Sequence, residues 1–233
     1  MGGPETPNDR ELRSFGRRHG RKFSASQERL LAEDLPRVAI DLAAPAPQQA
    51  SELFAAPVRD VWLEIGFGGG EHLIWQAENH PDVGLIGCEP YLDGVVKVLA
   101  AIRSQQLDRI RLHADDARPL LRWLPEASIA RAFVLFPDPW PKAKHHKRRL
   151  ISPSMADALA RVIRPGGELR IGTDIGDYAR TALRAMVGSA DFQWLAKGPS
   201  DWRVRPADWP QTRYEQKAMA AGRRCYYLRF ERV

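Results

Sequence analysis

A chain of 233 residues, 44% of them hydrophobic, is long enough for one sizeable core and too short for two full domains. Lys and Arg number 35 against 29 Asp and Glu, and the net charge of +6 favours a polyanionic partner. No apolar run approaches the roughly 18 residues of a spanning helix, and the polar first 22 residues lack a signal-peptide core, so a cytoplasmic protein with no membrane partner is expected.

Residues 10–22 carry six Arg or Lys against one Glu, a basic arm of the kind that meets nucleic acid. The capping-box pattern Ser24-x-x-Gln27 opens a short helix over residues 25–35, which Pro36 stops. The stretch "LAAPAPQQASELFAAP" (residues 42–57) reads as an Ala/Pro linker, which closes an N-terminal extension at residue 57. From Val58 onward short apolar runs alternate with helical periods. "RDVWLEIG" is a strand and "GEHLIWQAENH" a helix ended by Pro81; "VGLIGCEP" is the second strand. "LDGVVKVLAAIRSQ" is a helix with Val95, Val98, Leu99 and Ile102 on one face. "RIRLHADD" and "ARAFVLFPD" are further strands, and "GGELRIGTD" a fifth after the helix "PSMADALARVI". A helix over residues 175–187 and strands near 192–195 and 225–230 complete the pattern. Strands joined by crossover helices give an α/β, doubly wound, mostly parallel seven-stranded sheet in a domain of residues 58–233. Ligands of such a fold sit at the carboxyl ends of the strands.

Those ends are acidic. The first strand runs into Glu64-Ile-Gly66-Phe-Gly68-Gly-Gly70, whose glycines allow a tight turn and close approach of a ligand to the backbone. Glu89 ends the second strand, Asp115 and Asp116 the third, and Asp138 the fourth. A carboxylate at the second tip accepts hydrogen bonds from ribose hydroxyls. NAD competes for such a loop, but acids at four consecutive strand tips crowd one rim and repel a pyrophosphate, which wants a helix N-terminus free of negative charge. They suit a sulfonium cation carrying an adenosine, S-adenosylmethionine.

The glycine loop with its acids resembles the first motif of the class I methyltransferases. "FPDPWPKAKHHKRR" (residues 136–149) and "TRYEQKA" (residues 212–218) resemble the bacterial tRNA (guanine-N7)-methyltransferase family, and the similarity extends from "GRRHGRKFSASQ" to the C-terminal strand. That resemblance implies methyl transfer from S-adenosylmethionine to N7 of a guanine in the tRNA variable loop (position 46). It implies that Glu64, Gly66, Gly68, Glu89, Asp116 and Asp138 hold the methyl donor and that Asp138 is catalytic. Asp116 is preferred to Asp115 because the family pattern is Asp-Ala. Lys142, Asp174, Thr212, Arg213, Tyr214 and Glu215 would hold the tRNA. Two departures are visible: Lys144 where the family more often has Arg, and Arg213 where it more often has Lys.

Guanine N7 carries no proton at neutral pH, so no general base is required. A carboxylate at Asp138, aimed by Pro137 and Pro139, would stabilise the positive charge moving into the imidazole ring. Glu215 or Asp174 would read the Watson–Crick edge, and Trp140 or Tyr214 would stack on the base or else belong to the core. Lys142, Lys144, Lys147, Arg148 and Arg149 would bind flanking phosphates. Cys88 and Cys225 lie in separate apolar runs, and His145 and His146 lack a spaced partner, so no metal is expected. The chain would act as a monomer or homodimer. A non-catalytic tRNA-binding partner subunit and an NAD-dependent enzyme are the competing readings.

Overall fold

The structure, a computed structural model, describes residues 18–20 and 22–233; residues 10–17 and Arg21 of the basic arm lie outside them. Both halves of the capping box are formed: Ser24 Oγ accepts from the Gln27 N–H, and Gln27 Oε1 accepts from the Ser24 N–H. They open α1 (Ala25–Arg29), which continues through a π-helical turn (Leu30–Asp34) into α2 (Leu35–Val38). Pro36 therefore does not stop the helix. It sits in the first turn of α2, where its missing N–H costs least, after a widened turn that relieves its ring. The Ala/Pro stretch lies along the sheet, with Ala50 and Phe54 buried. Gly84 makes room for Phe54, since a Cβ there would stand 2.5 Å from the ring.

The chain then alternates β1 (Asp60–Ile65), α3 (Glu71–Asn79), β2 (Val83–Cys88), α4 (Leu92–Gln105), β3 (Ile110–His113), α5 (Ala117–Trp123) and β4 (Ile129–Leu135). It continues with α6 (Pro153–Val162), β5 (Ile163–Thr173), α7 (Gly176–Val187), β6 (Phe192–Trp194), α8 (Ser200–Arg203), α9 (Arg213–Ala220) and β7 (Tyr226–Arg232). The strands form one sheet in the order β3-β2-β1-β4-β5-β7-β6, parallel except for β7, which is antiparallel to both neighbours. This is the doubly wound, mostly parallel α/β sheet expected from the alternation of runs.

All six residues of β2 are buried, as a strand covered on both faces requires. On one face Leu63, Leu120, Leu159 and Tyr178 pack together; on the other Trp62, Leu73, Leu99 and Phe133 do so. Three helices have no counterpart in the periodicity. α5 carries Pro119 in its first turn, and α8 and α9 are short and polar. Succession reverses between β1 and β4, which leaves a crevice above their carboxyl ends.

Candidate active site at the strand tips

Above that crevice the chain turns from β1 into α3 through Gly66, Gly68 and Gly70, with φ of 76°, 54° and 82°. A side chain is strained at each. Gly94, in the first turn of α4, touches the same loop so closely that a Cβ there would lie 1.9 Å from the Gly68 carbonyl oxygen. Glu89 fastens the two segments: Oε2 accepts from the Gly68 N–H at 2.8 Å and Oε1 from the Tyr91 N–H at 2.9 Å. Each oxygen keeps a second lone pair for a ligand. Burial raises the Glu89 pKa above its ordinary value; the Tyr91 and Gly68 N–H groups oppose this, and Asp138 and Glu64 reinforce it.

Asp116 caps α5, its Oδ1 accepting from the Arg118 N–H at 2.8 Å while Oδ2 meets Arg118 Nη1 at 2.7 Å. Asp115 instead pairs with Arg18 at 2.5 Å, at the described end of the basic arm. Burial alone would raise the Asp115 pKa, but Arg18, the Asp116 N–H and His113 together hold the group below the ordinary range.

At the tip of β4, Phe136 (φ 51°) and Trp140 (φ 43°) bracket Pro137-Asp138-Pro139. Left-handed backbone at a non-glycine residue costs about 1–3 kcal/mol, so the surroundings must enforce this loop. Two contacts do so. The Phe136 N–H donates to the Gly172 carbonyl at 2.7 Å. Arg149, 3% exposed, donates from Nε to the Pro139 carbonyl, from Nη1 to Thr181 Oγ1 and from Nη2 to Asp177 Oδ2, at 3.0, 2.6 and 2.5 Å. The structure thus withdraws Arg149 from the expected phosphate-binding run: it is buried, each of its nitrogens is engaged, and it clamps the loop to α7. Lys142, Lys144 and Lys147 are exposed, and the Arg148 guanidinium lies 5.0 Å from the Trp140 ring centroid, a cation–π contact.

A cavity of about 540 Å³ opens here, and Gly66, Gly68, Glu89, Asp116, Asp138 and Tyr214 all line it. The other predicted residues stand off its wall. Glu64 is buried beneath the loop, with Oε2 2.8 Å from His72 Nδ1, and so ties the end of β1 to the start of α3. Thr212 caps α9, its Oγ1 accepting from the Glu215 N–H. Glu215 is 1% exposed; Oε1 accepts from the Tyr227 hydroxyl at 2.5 Å and forms an ion pair with Arg205 Nε at 3.1 Å, and Oε2 has no hydrogen-bond partner among the described residues. Asp174 receives Arg223 Nε at 2.6 Å, Arg213 is exposed 3.6 Å from Glu71, and Lys142 is exposed before the turn at residues 143–148. Sequence reasoning missed Tyr91 and Arg118 on the wall; the sign was their place two residues past the strand-tip acids Glu89 and Asp116.

Residues 58–228 match the family of putative methyltransferases. The chain is 47% identical over 232 residues to a tRNA (guanine-N(7)-)-methyltransferase of Rhodospirillum rubrum, covering 98% of this chain and 91% of the relative. A tRNA (guanine-N(7)-)-methyltransferase of Jannaschia sp. is 46% identical, with 97% of each covered. The chain belongs to the tRNA (guanine-N(7)-)-methyltransferase family. This family member shares its fold more widely. TrmN from Thermus thermophilus superposes with a TM-score of 0.56 at 18% identity, over 78% of this chain and 46% of that one. A variant 16S rRNA (adenine(1408)-N(1))-methyltransferase from Catenulisporales acidiphilia gives 0.52 at 17% identity, over 83% and 94%.

In this methyltransferase the cavity holds no nucleophilic thiolate. Cys88 lines it, but burial, with Asp116, Glu89 and Asp115 adding to it, raises the thiol pKa well above its ordinary value, and Sγ donates to the Asp115 carbonyl. Tyr214 likewise stays a phenol, its pKa raised by burial and then by Glu89. Carboxylates, backbone N–H groups, aromatic faces and the guanidinium groups of Arg118 and Arg148 are what the cavity offers.

Proposed function

We propose that this methyltransferase transfers the methyl group of S-adenosylmethionine to N7 of a guanine in the tRNA variable loop (position 46), giving 7-methylguanosine and releasing S-adenosylhomocysteine as the sulfur–methyl bond breaks. It would act in the cytoplasm, as a monomer or homodimer. The observation that carries this reading is one cavity bounded by a ribose-type carboxylate, Glu89, and by a rigidly held carboxylate, Asp138. Identity of 46–47% with relatives of that name supports the substrate.

The residues present fit the donor. Glu89 keeps one free lone pair on each oxygen for vicinal hydroxyls, and Asp116 offers an acceptor for an exocyclic amine. Gly66 and Gly68 leave room for the chain of the ligand, and Glu64 acts from behind, through His72, by fixing the loop. The acids favour a cation and disfavour the pyrophosphate of NAD. S-adenosylmethionine supplies an electrophilic methyl group on a positively charged sulfur.

Asp138 is the residue proposed to act on the reacting atoms. Its carboxylate stabilises the positive charge that enters the guanine imidazole ring, and no residue has to remove a proton from N7. Placement supplies the rest of the rate: the Arg149 clamp and the two prolines hold Asp138 before substrate arrives. Trp140 and Tyr214, both on the cavity wall, steady the base by stacking. Thr212 and Glu215 hold the helix that presents Tyr214 and Arg213. Of the two carboxylates considered for the Watson–Crick edge, Asp174 keeps 18% of its side chain exposed while Glu215 is enclosed. Lys142, Lys144 and Lys147 take phosphates, which position the RNA without reading it.

Asp138→Asn tests the assignment. The expected result is a kcat about 10²–10³-fold lower, the usual cost of one lost electrostatic contact to the transition state, with tRNA binding intact. Undiminished kcat removes Asp138 from the chemistry.

A further inference from the structure

A second cavity of about 740 Å³ lies over the other half of the sheet, between α7, α8 and the start of β7. Arg180, Arg203, Arg223 and Arg224 line it, and no Asp or Glu does so among the described residues. Arg180 is 3.4 Å from Asp177 and Arg223 is bonded to Asp174. Arg203 and Arg224 are exposed and have no carboxylate partner among the described residues. The cavity wall also holds a stacked aromatic pair. Trp202 and Tyr226 are parallel to within 10° with centroids 6.0 Å apart, and the Arg203 guanidinium lies 4.4 Å from the Trp202 centroid.

Its position in the sheet adds to this. Tyr226 pairs with Thr173 at the carboxyl end of β5, so the groove opens on the same rim as the strand-tip cavity. β7 stands two strands from β4, roughly 10 Å at the usual spacing. Arg223, on the groove wall, is paired with Asp174, the residue that follows β5. Unpaired nucleotides are held by aromatic faces and guanidinium planes for the base and by guanidinium donors for the phosphates.

We infer that this groove is a second RNA subsite, which takes an unpaired nucleotide of the tRNA a short step along the strand from the target guanine. The base lies against the Trp202–Tyr226–Arg203 surface, and Arg203 and Arg224 take the adjoining phosphates. The inference rests on the tRNA reading of the first cavity and extends it to a place where no methyl transfer occurs.

Filter binding of purified full-length protein to unmodified tRNA, over a range of salt, tests it together with steady-state methylation. The Arg203→Gln/Arg224→Gln variant removes two exposed donors. It should lower the slope of log Kd against log salt by about 1.4–1.8, two phosphate contacts' worth, and leave kcat and S-adenosylmethionine affinity unchanged. Trp202→Ala should weaken tRNA binding about 5- to 150-fold, the worth of one base–aromatic stack. The double arginine variant keeps the test decisive if Trp202→Ala does not fold. Wild-type tRNA affinity and salt slope in the arginine variant overturn the subsite. So does a variant that loses tRNA affinity only as it changes from dimer to monomer, since that assigns the groove to a second copy of the chain. Failure of the wild-type protein to methylate tRNA while the binding differences persist refutes the methylation reading instead and leaves the groove in place.

Discussion

Glu89 does two jobs with one carboxylate. It fastens the Gly68 and Tyr91 N–H groups, and it faces the cavity where hydroxyl donors of the methyl donor are proposed to bind. Because its pKa is raised above 4.5, the acceptor form is lost at a higher pH than for an ordinary glutamate as pH falls. Affinity for S-adenosylmethionine, measured by calorimetry, is therefore expected to weaken as pH drops toward that raised value. Glu89→Gln should bind more weakly overall and lose this dependence; an unchanged pH profile in the variant contradicts the assignment. Residues of this kind were legible because a strand tip in a parallel sheet points at the ligand crevice. Glu64 and Glu215 were less legible. Their neighbours in sequence are the same glycines and aromatics, but His72, Tyr227 and Arg205 reach them only in the fold. Arg149 was misread for the same reason: it sits in a run of cations, yet Asp177 and Thr181, on another helix, decide its role.

The elements that position the site differ in how openly the sequence declares them. Buried parallel strands are apolar runs, and α4 and α7 have clear apolar faces, so the two helices were read within a residue of their ends and the strands within three. α5 and α9 were not, because seven or eight residues with a proline or many charges leave no period to detect. Yet both carry site residues at their starts, Asp116 as a cap and Tyr214 in the first turn after the Thr212 cap. Gly94 leaves no room for a side chain between α4 and the glycine loop. Gly94→Ala sets a methyl group 1.9 Å from a backbone oxygen, where no side-chain rotation gives relief. A folded variant, judged by circular dichroism, is expected to have its S-adenosylmethionine Kd raised at least about tenfold, ~1.4 kcal/mol. Unchanged affinity would mean that the loop lies elsewhere when the donor is bound.

At the scale of the whole molecule, the sheet divides its rim between two openings. The acids lie over β1 to β4, and the second, arginine-lined groove lies over β5, β7 and β6. Net charge alone indicated a polyanion but could not say where it binds, since charge along a sequence carries no address on a surface. The fold supplies the address by bringing exposed Lys142, Lys144 and Lys147 beside Asp138 and gathering the arginines of α7, α8 and the start of β7. Among the described residues no helix is long and apolar enough to cross a membrane, and no cluster of His, Cys, Asp or Glu could hold a metal. The central claim is methylation of one guanine nitrogen in tRNA. It is tested most directly with labelled S-adenosylmethionine and two unmodified tRNA transcripts, one with guanine and one with adenine at the variable-loop position, followed by borohydride reduction and aniline cleavage. The account predicts label in the guanine transcript alone and cleavage at that guanine. Label in both transcripts, cleavage elsewhere, or tight tRNA binding with no label would contradict it.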